Sequence, residues 1–212
     1  MASEWLKWKS STYLYLFLGW WGLKLASIPL YLSIVTNPLI LEGVIDLSML
    51  GDCLILTLLT LLMVEQEKQA NHFQQILGER NSVKIWFWKL IVLDILLTCS
   101  CFLLWESVGL IRNDLPRFLQ VSLAVLSLEI WISHAHLFLA LLVPRTVNLM
   151  IAFLDCLVIV FASNHVFEGW YGLATALPIN ALIGDTRALY WCFAWSGLTL
   201  LLQLGYVVWK GR

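Results

Sequence analysis

The sequence predicts an all-α polytopic membrane protein with about six transmembrane helices. Of its 212 residues, 60% are hydrophobic and 13% are charged, whereas soluble domains carry about 45–50% apolar and about 25% charged residues. Six spans of about 20 residues each, the length that crosses the hydrocarbon core of a bilayer, leave only about 90 residues for all loops and both ends. We therefore expect residues 1–212 to form a single transmembrane domain, without a separate soluble domain.

The charge balance and the cysteines exclude several other classes of protein. The 13 basic and 14 acidic residues nearly cancel, so the chain has no electrostatic field that would recruit nucleic acid. The five cysteines lie in or beside apolar stretches, where a free cysteine acts as a small hydrophobic side chain. Neither a disulfide framework nor a zinc site is expected. No cleavage site of the signal-peptide type follows the first apolar segment, which we expect to be retained.

Apolar stretches place the spans at residues 13–35, 44–64, 85–110, 117–142, 147–163 and 188–208. The stretch at 44–64 is the one most clearly recognised as a span. Lys24 falls inside the first span, which would be explained if that span began later than residue 13. Before it, residues 1–12 predict an amphipathic interfacial helix, because Trp and Lys side chains favour the membrane–water interface. The anchors of this helix are Trp5, Lys7, Trp8 and Lys9.

The distribution of basic residues orients the spans. With an even number of spans, one side of the membrane carries Lys7, Lys9, Lys68, Arg80, Lys84, Arg145, Lys210 and Arg212. The other side carries Arg112, Arg117 and Arg187. Because cytoplasmic loops are enriched in Lys and Arg, both termini are predicted to be cytoplasmic. Lys89 lies near enough to the cytoplasmic end of the third span for its side chain to reach the interface.

The connection between the fifth and sixth spans, residues 164–187, has an intermediate character. Its Gly and Pro residues and its polar residues argue against a span, yet it is too apolar for an open loop. Irregular backbone at membrane depth occurs only where it is buried in protein or lines a cavity. We therefore predict short re-entrant helices at the outer side of the membrane.

The polar connection between the second and third spans, residues 65–83, predicts a short amphipathic helix. It contains no Pro, and its only Gly is Gly78, at a position typical of a helix C-cap. Ala70, Phe73, Ile76 and Leu77 recur at helical spacing. This apolar stripe must be covered either by the membrane surface or by a partner protein.

The same region carries a motif that resembles the permease subunits of ABC-2-type transporters. More narrowly, it resembles the small membrane subunits of lantibiotic-immunity ABC transporters, whose motif runs roughly Glu-Glu-x-x-x-Asn-x-Phe-Gln-x-Leu-Leu. This chain offers Glu65, Glu67, Asn71, Phe73, Gln74 and Leu77 for that pattern, and it departs from it in having Gln66 between the two acids. Four further features are similar to those of that family. They are the position of Lys89, the amphipathic N-terminal segment, the arrangement of six spans and the interrupted segment before the last span.

The resemblance implies transport that is driven by ATP hydrolysis in a partner chain. The chain has no Gly-x-x-x-x-Gly-Lys-Ser/Thr phosphate loop, so ATP and Mg would bind the partner, and this chain would hold no cofactor and be no enzyme. In that family, residues 65–83 form a coupling helix that rests on a cytoplasmic ATP-binding subunit. The contact residues carried over are Glu65, Gln66, Glu67, Asn71, Phe73, Gln74, Ile76 and Leu77. Two ATP-binding subunits and a second permease, identical or homologous, would complete the transporter in the bacterial plasma membrane.

The cargo implied by this resemblance is a membrane-active peptide that the cell expels for self-immunity. A drug, a lipid or an ion are alternative cargoes. An amphipathic substrate that arrives from the bilayer suits an outer chamber lined by apolar and aromatic side chains. The candidate substrate path consists of Glu129, Phe167, Trp170, Tyr171, Leu177 and Pro178. Simple packing of a re-entrant segment explains the last five residues equally well.

Ionisable residues within the spans are costly at membrane depth and mark functional sites by default. The candidates are Asp52, Asp94, Glu129, His134, His136 and Asp155. Glu129, the deepest, either forms a hydrogen bond between helices as a neutral group or lines a substrate or proton path. A metal site or an intramembrane enzyme would need Glu129, His134 and His136 to converge. Because His134 and His136 are two residues apart, they point in different directions on a helix, so no metal is predicted.

Overall fold

The computed structural model describes residues 12–35, 37–69 and 82–210, which are almost entirely helical and contain no strand. The helices are α1 (Thr12–Ile34), α2 (Pro38–Gln69), α3 (Ser82–Arg112), α4 (Leu115–Leu142), α5 (Arg145–Ser163), α6 (Leu177–Ile183) and α7 (Thr186–Lys210). A 3₁₀ turn at Ala174–Ala176 precedes α6.

Six of these helices are long and apolar enough to cross a membrane: α1, α2, α3, α4, α5 and α7. The predicted all-α architecture with about six spans is therefore confirmed. The largest difference in bounds is at α2, which begins at Pro38 rather than at residue 44 and has 32 residues. At 1.5 Å per residue this helix is about 48 Å long, which exceeds the thickness of a hydrocarbon core of about 30 Å. Hydropathy detects only the central part of such a helix.

Helices α2 and α4 form the centre of the bundle. In each of them, 61% of the most apolar stretch is buried by other helices, compared with 22% in α1 and 28% in α5. Helix α4 packs against α2, α3 and α7, and its buried residues include polar as well as apolar side chains. The polar side chains of α4 are therefore surrounded by protein on most sides.

Local sequence signals set the ends of the helices around this centre. The Asp114 side chain accepts a hydrogen bond from the backbone N–H of Arg117 at 3.4 Å and caps α4, whose first turn also contains Pro116. Helix α5 begins directly after Pro144. Gly184 ends α6 with a φ of 121°, which side chains rarely tolerate, and the chain then turns into α7.

The connection at residues 164–187 contains a 3₁₀ turn at Ala174–Ala176 and the short helix α6. After a series of turns, the 3₁₀ turn and α6 pack among α4, α5 and α7. Leu177 and Pro178 are both buried there. This segment is therefore part of the packed bundle rather than an open loop.

Two predicted features lie largely outside the described residues. The interfacial helix at 1–12, with Trp5, Lys7, Trp8 and Lys9, is one of them. The other is the central part of the coupling segment, with Asn71, Phe73, Gln74, Ile76 and Leu77. Glu65, Gln66 and Glu67 are described, and they lie on the last turns of α2.

Candidate functional site

Lys24 lies in the middle of α1 and is only 4% exposed. Its ammonium group donates to both carboxylate oxygens of Asp52 on α2, at 2.8 and 2.6 Å. Trp20 donates its indole N–H to Asp52 Oδ1 at 2.8 Å, and the ring of Trp21 lies 4.9 Å from the Lys24 nitrogen. Helix α1 is continuous from Thr12 to Ile34, so Lys24 is accommodated within it without a later start of the span. Asp52 neutralises this lysine inside the span.

Glu129 on α4 is the third member of what we term the Lys24 cluster (Lys24, Asp52 and Glu129). One of its oxygens lies 3.9 Å from the Lys24 nitrogen, and the side chain is fully buried. Neither oxygen has a partner that meets hydrogen-bond geometry among the described residues, but the carboxylate of Asp52 is a close neighbour, so the hydrogen bond between helices stays a prediction. The cluster joins α1, α2 and α4 through one cation and two carboxylates.

The two histidines of α4 face different helices. His134 Nε2 lies 3.0 Å from Asp94 Oδ1 on α3. His136 lies against α5, with Nδ1 at 2.6 Å from Asn148 Oδ1 and Nε2 at 3.1 Å from Asp155 Oδ2. Glu129 faces α1 instead, so these three residues do not converge. Within the described ranges, no group of three or more His, Cys, Asp or Glu side chains is placed to hold a metal ion.

Asp155 extends the His136 contact to the segment before α6. Its Oδ1 accepts a hydrogen bond from the Thr175 hydroxyl at 2.6 Å. The same Thr175 oxygen accepts the indole N–H of Trp131 on α4 at 3.0 Å. Helices α4 and α5 and the 3₁₀ turn are therefore linked by buried and half-buried hydrogen bonds, which fixes the short helices relative to two spans.

Gln203 on α7 links α3, α4 and α7. Its amide nitrogen donates to the backbone carbonyl of His134 at 2.7 Å, and its amide oxygen accepts the indole N–H of Trp86 at 3.3 Å. Sequence reasoning did not select Gln203, Asn148 or Thr175. A polar amide or hydroxyl within an apolar helix is a weaker signal than a charge, yet it also needs a partner at membrane depth.

At the end of the bundle where α2 ends and α3 begins, two ion pairs join three helices. We term this group the inner rim because the distribution of basic residues predicts that this end faces the cytoplasm. Glu67 on α2 pairs with Lys89 on α3, and both side chains are buried. Glu65 pairs with Arg145 on α5 at 3.3 Å. The buried Lys89 side chain is held by Glu67.

At the opposite end, α2, α4, α5 and α6 surround a cavity of about 400 Å³, which we term the outer cavity because the distribution of basic residues predicts that this end faces outward. Its wall combines charged and polar side chains with apolar ones. The lining residues are Glu42, Ile45, Asp46, Arg117, Gln120, Val121, Ser163, His165, Ile179, Leu182 and Ile183. None of the six residues of the predicted substrate path is among them. Sequence patterns could not place this cavity, because it forms where four separate elements meet.

The aromatic residues of the predicted substrate path lie in the outer segment. The rings of Phe167 and Trp170 are 5.6 Å apart, and Trp170 is 58% exposed. Tyr171 packs against Trp191 on α7, and its hydroxyl donates to Asp185 at 2.6 Å. This hydrogen bond raises the pKa of the Tyr171 hydroxyl, and the nearby Asp185 charge adds to the effect.

A glycine on α2 makes the Trp20–Asp52 hydrogen bond possible. A Cβ atom at Gly51 would lie 2.5 Å from the Trp20 ring, so Gly51→Ala should displace the indole from Asp52. Overpacking of this kind costs about 1–3 kcal/mol, measurable as a lower free energy of unfolding in detergent. Gly43→Ala on the same helix is the matched control, because nothing lies within 4 Å of its Cβ position. Equal stability of the two variants would contradict the close packing at Trp20.

The fold and the buried ion pairs define the class of the protein. Six apolar helices of spanning length, with charged side chains that are paired inside the bundle, have the features of a multi-pass membrane protein. Comparison with protein-family models, with curated proteins and with solved structures finds no match to this chain.

Proposed function

We propose that this chain is the permease subunit of a bacterial ABC transporter of the ABC-2 type. In this proposal it expels a membrane-active peptide of the lantibiotic kind, using ATP hydrolysis in a separate cytoplasmic subunit. The observation that carries the proposal is the Glu65–Leu77 motif between the second and third spans, at an end of the bundle that ion pairs hold together. Both termini then lie in the cytoplasm, and the outer cavity faces outward.

The inner rim supports a mechanical role for the connection between α2 and α3. The chain leaves α2 after Gln69 and re-enters the bundle at Ser82. The Glu67–Lys89 pair joins the two helices that flank this connection, and the Glu65–Arg145 pair adds α5. A push on residues 70–81 would therefore act on several helices together rather than unwind the end of one.

Polar contacts farther along the bundle support transmission of such a movement. Trp86 lies one turn before Lys89 on α3 and binds Gln203 of α7, which in turn binds the backbone of His134 on α4. From α4, the His136–Asp155–Thr175 contacts reach the outer segment. Polar contacts at membrane depth require defined distances and angles. The helices that they join would therefore move as a unit. This arrangement suits rocking of two permease halves between inward-facing and outward-facing states.

The finer parts of the proposal follow from the same assignment. Residues 1–12 form an interfacial helix, residues 70–81 carry the coupling helix, and α6 with the 3₁₀ turn re-enters the membrane from the outer side. A second permease, identical or homologous, and two ATP-binding subunits complete the transporter. Phe167, Trp170 and Tyr171 lie beside the path of the cargo.

Affinity purification tests this assignment. The chain, tagged at its C-terminus, is purified from its native membranes in a mild detergent, and the proteins that accompany it are identified by mass spectrometry. We expect a cytoplasmic ATP-binding subunit with a phosphate-binding loop, in an amount similar to that of the permease. Recovery of the chain without any ATP-binding subunit would contradict the proposal. An unrelated six-span protein with the same tag is the control for non-specific recovery.

A further inference from the structure

We propose that the outer cavity binds an ammonium group of a cationic amphipathic peptide, with Asp46 as the carboxylate that receives it. The inference rests on the proposed function and names the chemistry of the cargo at one site. It concerns residues of the outer cavity only and involves no residue of the inner rim.

The cavity has the size and the mixed wall that such a ligand needs. Its volume of about 400 Å³ falls within the range of about 300–1,000 Å³ typical of ligand pockets. Ile45, Val121 and Ile179 supply apolar surface, and Asp46 lies beside Ile45 on the same helix. A lysine side chain of a peptide matches this wall, because its methylene groups pack on apolar surface while its ammonium group contacts the carboxylate.

The other charged side chains of the described cavity wall pair with residues other than Asp46, so its carboxylate is available to bind a cation. Glu42 is paired with Arg117 at 3.8 Å, and both side chains are largely exposed, so this pair is weak. His165 faces Glu168 at 3.6 Å. Among the described residues, no Lys, Arg or His forms an ion pair with Asp46, whose polar neighbour is the Ser163 hydroxyl.

The spacing of the two acids also favours a cation. Glu42 and Asp46 lie one helical turn apart on α2, both facing the cavity. Like charges at this spacing oppose each other, and Arg117 offsets only the outer of the two. A bound ammonium group at the half-buried Asp46 removes the remaining repulsion and forms a charge-assisted hydrogen bond.

A peptide fits this arrangement better than the other common sources of an ammonium group. A zwitterionic lipid headgroup carries a phosphate next to its ammonium group, and the phosphate would lie against the carboxylate of Glu42. A lysine side chain brings no anion with it. A free divalent metal ion requires six or more oxygen ligands, whereas Asp46 and Glu42 are the only carboxylates among the described residues of this wall.

The test measures peptide binding to the full-length permease in phosphatidylcholine nanodiscs, without any ATP-binding subunit. The probe is a fluorescent synthetic amphipathic peptide of leucine and lysine, compared with the same peptide after acetylation of every lysine. Fluorescence anisotropy gives the Kd, with empty nanodiscs subtracted. The variants are Asp46→Asn, the charge-retaining Asp46→Glu, and Asp114→Asn as the matched control. Asp114 lies at the same end of the bundle outside the cavity, and asparagine still caps a helix.

We expect Asp46→Asn to weaken binding of the lysine peptide at least about tenfold, because it removes the ionic partner of a charge-assisted hydrogen bond. Asp46→Glu and Asp114→Asn should bind like the wild type, and the acetylated peptide should bind weakly to all of them. Equal affinity of wild type and Asp46→Asn would overturn the proposal. So would equal binding of the two peptides to the wild type, a comparison that needs no variant to fold.

A third arm separates peptide from lipid. If phosphatidylethanolamine in the nanodiscs abolishes binding of the lysine peptide, the cavity holds a lipid headgroup and the proposal is wrong. Because no ATP-binding subunit is present, failure of this assay leaves the transporter assignment standing. Conversely, the cavity could bind the peptide even if affinity purification recovered no ATP-binding subunit.

Discussion

Lys24→Met is expected to lower the free energy of unfolding by about 3–5 kcal/mol, the cost of removing one partner from a buried ion pair. Methionine has a similar length but leaves Asp52 with no cation, and Asp52 is fully buried. Glu129, 3.9 Å from the Lys24 nitrogen, loses the same neighbour. The measurement is thermal or denaturant-induced unfolding of the purified protein in detergent.

Two further variants separate the ion pair from simple packing. Lys24→Met combined with Asp52→Leu replaces the whole pair by apolar groups, which is often neutral in proteins, so most of the lost stability should return. Glu129→Gln should cost less than about 1 kcal/mol, because the Glu129 oxygens accept no hydrogen bond from the described residues. If Lys24→Met were as stable as the wild type, the Lys24 cluster would not hold α1 in the bundle.

Phe73→Ala is expected to release the ATP-binding subunit or to uncouple its ATP hydrolysis from transport. In the proposed function, Phe73 with Ile76 and Leu77 forms the apolar anchor of the coupling helix. Truncation of such an anchor typically costs about 2 kcal/mol or more, which weakens the Kd about 30-fold. The permease itself should remain folded in the membrane, because Phe73 belongs to the polar connection between the second and third predicted spans.

The control for Phe73→Ala is Gln75→Ala, on the same segment but away from the apolar stripe. It should retain the ATP-binding subunit, as quantified by the amount that is recovered per permease after affinity purification. Glu65→Gln should also have a small effect, because the exposed Glu65–Arg145 pair contributes about 0–1 kcal/mol. If Phe73→Ala changed neither the recovery of the ATP-binding subunit nor the coupling of ATP hydrolysis to transport, the docking interpretation would be wrong. The segment would then be interpreted as a helix that lies on the membrane surface.

The number and order of the spans could be predicted because hydropathy is a local property. Each helix of spanning length contains an apolar stretch that is visible in the sequence alone. The ends of α2 were harder to place, since a helix continues past the membrane wherever polar residues can still form backbone hydrogen bonds with their neighbours. The interrupted segment before α7 was also predictable, from its Gly and Pro residues and its apolar character.

The partners of the buried charges could not be predicted, because they depend on which helices pack together. Lys24 and Asp52 are 28 residues apart, and neither local sequence indicates that the other residue is its partner. The same holds for His136 and Asp155, and for Gln203 and the backbone of His134. The sequence indicates most of the ionisable residues that are buried within the bundle, but it does not indicate which helix carries the partner of each one.

The most direct test of the transporter assignment is the rate of ATP hydrolysis by the ATP-binding subunit reconstituted with the permease in proteoliposomes. The rate is measured with and without a cationic amphipathic peptide, for the wild-type permease and for Phe73→Ala. We predict that the peptide stimulates hydrolysis with the wild-type permease and that Phe73→Ala abolishes the stimulation. Hydrolysis at the same rate with and without the wild-type permease, whatever peptide is added, would contradict the assignment.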